Sequence, residues 1–140
     1  MRALNQTAAE IFKKLIDIPP DEGGHKHKTY DFHNYWPECG GGTMAVHVEI
    51  IGHIKSYPVW SVAHYYKQNG DLMADPEMTF AVINSDKIVP LSFSQANMAI
   101  YEESIFEDES GDLKQLRELQ HDHTSFANGW LRNIKEQQHL

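Results

Sequence analysis

Between Thr43 and Phe106, apolar and polar residues alternate at every second position in short runs broken by turn residues. That period of two restricts the chain to half-buried β-strands, because successive strand side chains point to opposite faces. In residues 43–54, Met44, Val46, Val48 and Ile50 share one face, and Ala45, His47 and Glu49 the other. In "PVWSVAHYY" (58–66), Trp60, Val62, His64 and Tyr66 fall together. "MTFAVI" (78–83) is a third run, residues 88–94 a fourth with Val89, Leu91 and Phe93 on one side, and "MAIYEESIF" (98–106) a weaker fifth. Pro90 removes a ladder donor and predicts an edge position for the fourth strand. The connections are short, so the pattern predicts an antiparallel meander rather than βαβ units.

The period changes at both ends. Leu4, Ala8, Ile11, Phe12 and Leu15 recur at helical spacing, with Thr7 and Glu10 as a capping box and Pro19-Pro20 as the stop. Beyond "EDESGD" (107–112), Leu113, Leu116, His123, Phe126, Ala127, Trp130, Leu131 and Ile134 follow helical spacing again. "HDHTS" (121–125) offers Asp122 or Thr124 as a second cap, so this segment reads as one helix or two. Within residues 20–42, the aromatic-rich "KTYDFHNYW" predicts a short edge strand or a loop pinned to the core. Gly40-Gly41-Gly42 reads as a connector, since no Gly-Lys-Ser/Thr follows it. Strands flanked by helices predict an α+β fold: an antiparallel meander of four to five strands, with N-terminal and C-terminal helices packed on one face.

Size and composition agree with one domain spanning 1–140, since 140 residues that are 41% hydrophobic can build a single sizeable core. The formal charge of −8 makes direct nucleic-acid binding unfavourable, because such binding draws on clustered Lys and Arg. A basic or apolar protein partner suits this surface better. Cys39 is the single cysteine, which excludes an internal disulfide and a thiolate-rich zinc site. The N-terminal stretch has no unbroken apolar h-region, and no window approaches the roughly 18 apolar residues of a membrane span. The expectation is a cytoplasmic protein.

The stretch "AHYYKQNGDLMADPEM" (63–78) holds the chemistry in question. Asn69-Gly70 is a hairpin turn signal, and Asp71 and Pro76 have natural jobs in capping and spacing the turn. The alternative gathers Asp71, Asp75 and Glu77 around a magnesium ion, with His64 as general base, as in a nuclease-like hydrolase. Against it stand the missing Lys two residues after Glu77 and the acidity that would repel nucleic acid. The preferred reading therefore assigns no catalytic residue, metal or cofactor. The pairs His25/His27 and His121/His123 lack the context of a catalytic zinc site and read as solvent-facing. No serine occupies a nucleophile-elbow sequence, and nothing near Cys39 in sequence would lower its pKa.

Glu102, Glu103, Glu107, Asp108, Glu109 and Asp112 form a run without a base. Such a run is ordinarily a solvated loop plus the acidic start of a helix. It also offers an anionic surface to a basic partner. The predicted binding residues are Asn69, Asp71, Asp75 and Glu77 in the 67–77 loop, with Glu107, Asp108 and Glu109. "HYYKQNGDLMADPEM", together with "SFANGWLRNIKEQ", resembles a small uncharacterised family of bacterial mobile elements and phages with a His-Tyr-Tyr-x-Gln-Asn-Gly-Asp-Leu-Met-x-Asp-Pro-Glu-Met segment. The resemblance covers residues 43–137. It implies a single domain in a mobile-element setting and carries no site residues. The function expected is a non-catalytic protein-binding or regulatory module.

Overall fold

The alternation becomes a six-stranded antiparallel sheet in the computed structural model, which describes residues 1–31, 45–68 and 71–140 and all their side chains except those of 66–68, 71–75 and 97. The elements are α1 (Gln6–Leu15), β1 (His27–Tyr30), β2 (Ala45–Ile54), β3 (Tyr57–Gln68), β4 (Asp71–Asn84), β5 (Lys87–Gln95), β6 (Ile100–Glu103), β7 (Ile105–Glu107), β8 (Leu113–Gln115) and α2 (Arg117–Gln138). The main sheet follows the order β1-β2-β3-β4-β5-β6, with each neighbour antiparallel, and β7 and β8 form a separate hairpin. This is the expected meander, extended by an edge strand from the start of the aromatic-rich segment. The rest of that segment, with Cys39 and the triple glycine, lies outside the described residues, as do Asn69 and Gly70.

Both helices cover one face of the sheet. Phe12 and Leu15 of α1, and Trp130, Leu131 and Ile134 of α2, pack with Val46, Val48, Trp60, Val62, Met78 and Phe80 in one buried cluster. The Phe12 and Phe80 rings lie 4.9 Å apart between centroids. Each such apolar side chain contributes about 1.5–3 kcal/mol on full burial, which makes this layer the main source of stability. The helix α1 is capped by Asn5 rather than Thr7: the Asn5 Oδ1 accepts the Ala8 N–H at 2.8 Å. Asn5 also donates its own N–H to Asn128 Oδ1, so the cap is docked on α2 two residues before the expected start.

Several expectations about the strands and α2 change. Pro90 is not on an edge strand, because β5 lies between β4 and β6. It is tolerated since β6 pairs only with residues 92–95, and the ladder to β4 is already irregular beside Pro90. That irregularity also separates Val89 and Leu91, which join a second cluster, from Phe93, which packs with the first. The fifth strand breaks at Ser104 into β6 and β7, carrying the chain to the other face, where Ile105 packs on Val59, Ala81, Val89 and Leu91. Finally, Leu113 belongs to β8 rather than to the helix, while of the two alternatives for the C-terminal segment α2 is the single helix, unbroken through "HDHTS". Among the described residues, no helix is long and apolar enough to cross a membrane.

Three side chains lock α2. Gln120, fully buried, accepts the Arg2 N–H through Oε1 at 2.7 Å and donates Nε2–H to the Arg2 carbonyl at 2.7 Å, pinning the N-terminal strand of chain. Trp130 donates Nε1–H to His64 Nδ1 at 3.1 Å. His123 is buried, not solvent-facing as expected, with Nδ1 3.0 Å from Ser104 Oγ and Nε2 3.1 Å from Glu102 Oε1. Phe126, on the apolar stripe of the helical spacing, packs on Phe93 and Trp130 but remains 43% exposed.

Candidate functional site

The face of the sheet turned away from the helices carries polar side chains in register. Residues directly opposite on neighbouring strands share a face. One row runs His27, Glu49, Ser61, Thr79, Ser92 and Glu103, and the next runs Thr29, His47, Ala63, Glu77, Ser94 and Tyr101. Along each strand these residues alternate with the core residues, so the period that builds the core builds this platform too. In its centre the hydroxyls of Thr79 and Ser92 are hydrogen-bonded, and Ser61 Oγ–H donates to Glu77 Oε2 at 2.7 Å.

At the β1 end, imidazoles and carboxylates pair. His25 Nε2 lies 2.7 Å from Glu49 Oε2, His47 Nε2 lies 3.8 Å from Glu49 Oε1, and His27 Nε2 lies 3.3 Å from Asp21 Oδ2. The His25 and His27 rings stack at 5.3 Å. Both histidines are exposed, as expected, yet they are organised by β1–β2 pairing, a long-range feature invisible in a spacing of two. Asp21 accepts the N–H groups of His25 and Gly23 through Oδ1. These bonds, that of His25 foremost, hold its carboxyl below the usual carboxylate range. The Tyr65 phenol beside His47 is pushed up by burial and then by the charges of Glu77 and Glu49. Among the described residues, no three His, Cys, Asp or Glu side chains gather in a group able to hold a metal ion.

At the opposite end, a cleft of about 370 Å³ opens between β7 and the bulged end of β2. Val59, Leu91 and Ile105 form its floor, while Ile51, Tyr101, Glu103 and Glu107 stand around it. Ile51 is 52% and Tyr101 68% exposed, and the Tyr101 hydroxyl donates to Glu103 Oε1 at 2.8 Å. A second hollow of about 200 Å³ lies on the other side of Ile105, lined by Tyr57, Ile83 and Leu113.

The sequence-predicted residues separate in this frame. His64 is buried on the helix face and Glu77 is half-buried on the open face, so the sheet stands between them. The predicted 67–77 loop is instead largely strand, since β3 runs to Gln68 and β4 already opens at Asp71 opposite it and passes through Asp75-Pro76. The side chains of Asp71 and Asp75, like Asn69, lie outside the described residues. The acidic run divides instead of forming a helix start. Glu102 turns inward to His123, and Glu103 and Glu107 border the cleft. Asp108 builds the β7–β8 turn, its Oδ1 accepting the N–H groups of Ser110 and Asp112 at 2.9 Å each, and exposed Glu109 sits in that turn. Ser104, His123 and Glu102 stand in the order of a hydrolase triad. However, Ser104 is fully buried and its hydroxyl also reaches the Leu91 carbonyl, so the three act as a clamp between β5, β6 and α2.

The cleft itself escaped sequence reasoning, because its walls come from strands more than fifty residues apart. A family model described as a domain of unknown function (DUF6908) matches residues 20–140, from the loop before β1 to the end of α2. No curated protein and no solved structure matches the chain.

Proposed function

The chain belongs to this family of unknown function, and from that premise we propose that it is a non-catalytic protein-binding or regulatory module of mobile-element type, acting in the cytoplasm through the uncovered face of its sheet. The observation that carries this reading is the cleft, where exposed Ile51 and Tyr101 flank an apolar floor beside the carboxylates of Glu103 and Glu107. Apolar area left open within a polar surround is characteristic of interaction sites. The polar groups that would suggest catalysis support the same reading, since His64 and the Ser104–His123–Glu102 set are engaged in packing.

The test compares proteins retained from a cell extract by wild type, by Ile51→Lys, which replaces an exposed apolar wall of the cleft, and by Glu136→Lys on the exposed side of α2 as a control. A partner kept by wild type and control and lost by Ile51→Lys supports the reading. Identical retention by all three sinks it.

A second reading is favoured by the position of Glu77, which stands on the open face in the same row as His47. It is a divalent-metal-dependent hydrolase with magnesium at Asp71, Asp75 and Glu77, its base supplied from a residue other than His64. Calorimetric titration with magnesium and manganese checks it. Tight binding that disappears in Asp75→Ala would replace the first reading with this one.

A further inference from the structure

We infer that the cleft between β7 and the end of β2 receives an arginine side chain standing beside an apolar residue in a short segment of a partner protein. This rests on the binding-module reading and names the chemistry of the partner. The apolar half follows from the floor: Val59, Leu91 and Ile105 present hydrocarbon to the cleft, and exposed Ile51 extends it. Covering that surface is favourable in proportion to the area removed from water.

The cationic half follows from the rim. Glu103 and Glu107 both border the cleft, and among the described residues neither takes part in an ion pair, whereas neighbouring Asp108 has Lys114 at 3.7 Å. A purely apolar partner would strip water from two carboxylates of which only Glu103 keeps a donor, the Tyr101 hydroxyl, at a high desolvation cost. An anionic partner would meet like charge. A cation satisfies both carboxylates, and the chain's charge of −8 steers it inward. Arginine fits better than lysine for two reasons. Its planar fork donates to two oxygens at once, and its face stacks on an aromatic ring, here the exposed ring of Tyr101. A cleft of about 370 Å³ is of the size that takes a few side chains or a small ligand, so short peptides suffice as probes.

The probes are a six-residue peptide alternating Leu and Arg, the same peptide with Gln for Arg, and N-acetyl-arginine amide. Each is titrated by calorimetry and by amide chemical shifts against three proteins: wild type, Glu103→Gln/Glu107→Gln, and Glu10→Gln/Glu136→Gln, which loses the same charge elsewhere. The expected result is binding of the Leu-Arg peptide to wild type and control, with shifts at Ile51 and Tyr101, and at least tenfold weaker binding to the cleft variant. The Leu-Gln peptide should bind wild type and control at least tenfold more weakly than the Leu-Arg peptide does. Equal weakening in cleft and control variants would reduce the effect to diffuse attraction and overturn the site. Equal binding of the Leu-Gln peptide would overturn the cation, and equal binding of N-acetyl-arginine amide would make this a small-molecule site. If no peptide binds while Ile51→Lys still loses a partner from extract, this inference fails and the binding-module reading stands. If the extract comparison also shows no loss, both fail.

Discussion

At the scale of single residues, two turns carry the sharpest expectations. The Asp21 carboxylate is held below its ordinary value of 3.8 chiefly by the His25 N–H. A depressed carboxylate stabilises its loop above the ordinary range, and the contribution is lost as pH falls through the lower folded value. In a pH titration followed by carbonyl shifts, Asp21 should therefore have its midpoint below 3.8, and the Gly23 and His25 amides should move with it. An ordinary midpoint would mean that the loop bonds do not persist in solution. In the β7–β8 turn, Gly111 adopts φ +82°, with only Lys55 Nζ near an added Cβ, at 3.9 Å. The cost of a side chain there is one of backbone conformation rather than space. Gly111→Val should lose about 1–3 kcal/mol and Gly111→Asn much less, since Asn tolerates the left-handed region. Equal denaturation midpoints for the two variants would contradict the turn geometry.

Among the elements, α2 concentrates long-range bonds on one helix face. Its buried positions Gln120, His123, Ala127, Trp130, Leu131 and Ile134 keep the helical spacing, and three of them carry polar atoms that reach other elements. Trp130→Ala should cost about 3–5 kcal/mol, the usual range for truncating a buried aromatic. Trp130→Phe keeps most of the volume but removes the donor to His64 Nδ1, and should cost about 1–3 kcal/mol. Urea denaturation of both would separate packing from hydrogen bonding. If Trp130→Phe proved as damaging as Trp130→Ala, the bond to His64 would dominate the site rather than the ring's volume.

For the whole molecule, the boundary of the family match and the boundary of the core do not coincide. The match begins at residue 20, yet Leu4, Ala8, Ile11, Phe12 and Leu15 lie in the main cluster with Phe80 and Trp130. A chain of residues 20–140 would expose that surface, so it should be far less stable than the full chain or fail to fold alone. The two apolar clusters sit on opposite faces of one sheet and share its strands, so the chain is expected to unfold as a single cooperative unit. Tryptophan fluorescence and far-ultraviolet dichroism should then give coincident unfolding curves. Two separated transitions would instead make the β7–β8 face an independent unit.

The strand period, the two terminal helical stripes and the short connections were enough to determine the meander, the inward faces of β2 and β3 and the helices on one face. These are local patterns, since an apolar stripe states which face must be buried. Irregularities were not legible: the ladder defect beside Pro90 and the corner at Ser104 depend on how strands meet, not on their own periodicity. The cap at Asn5 was decided by its contact with Asn128, 123 positions away. The site divides in the same way. Sequence placed Glu107 on an anionic surface, but only pairing set Glu103 on β6 beside the β7 hairpin and opposite the end of β2. It also put His64 and Glu77 on opposite faces, with the sheet between them. Periodicity tells each strand which side faces inward; which distant side chains come to stand together on the outward side is decided by strand order and register alone.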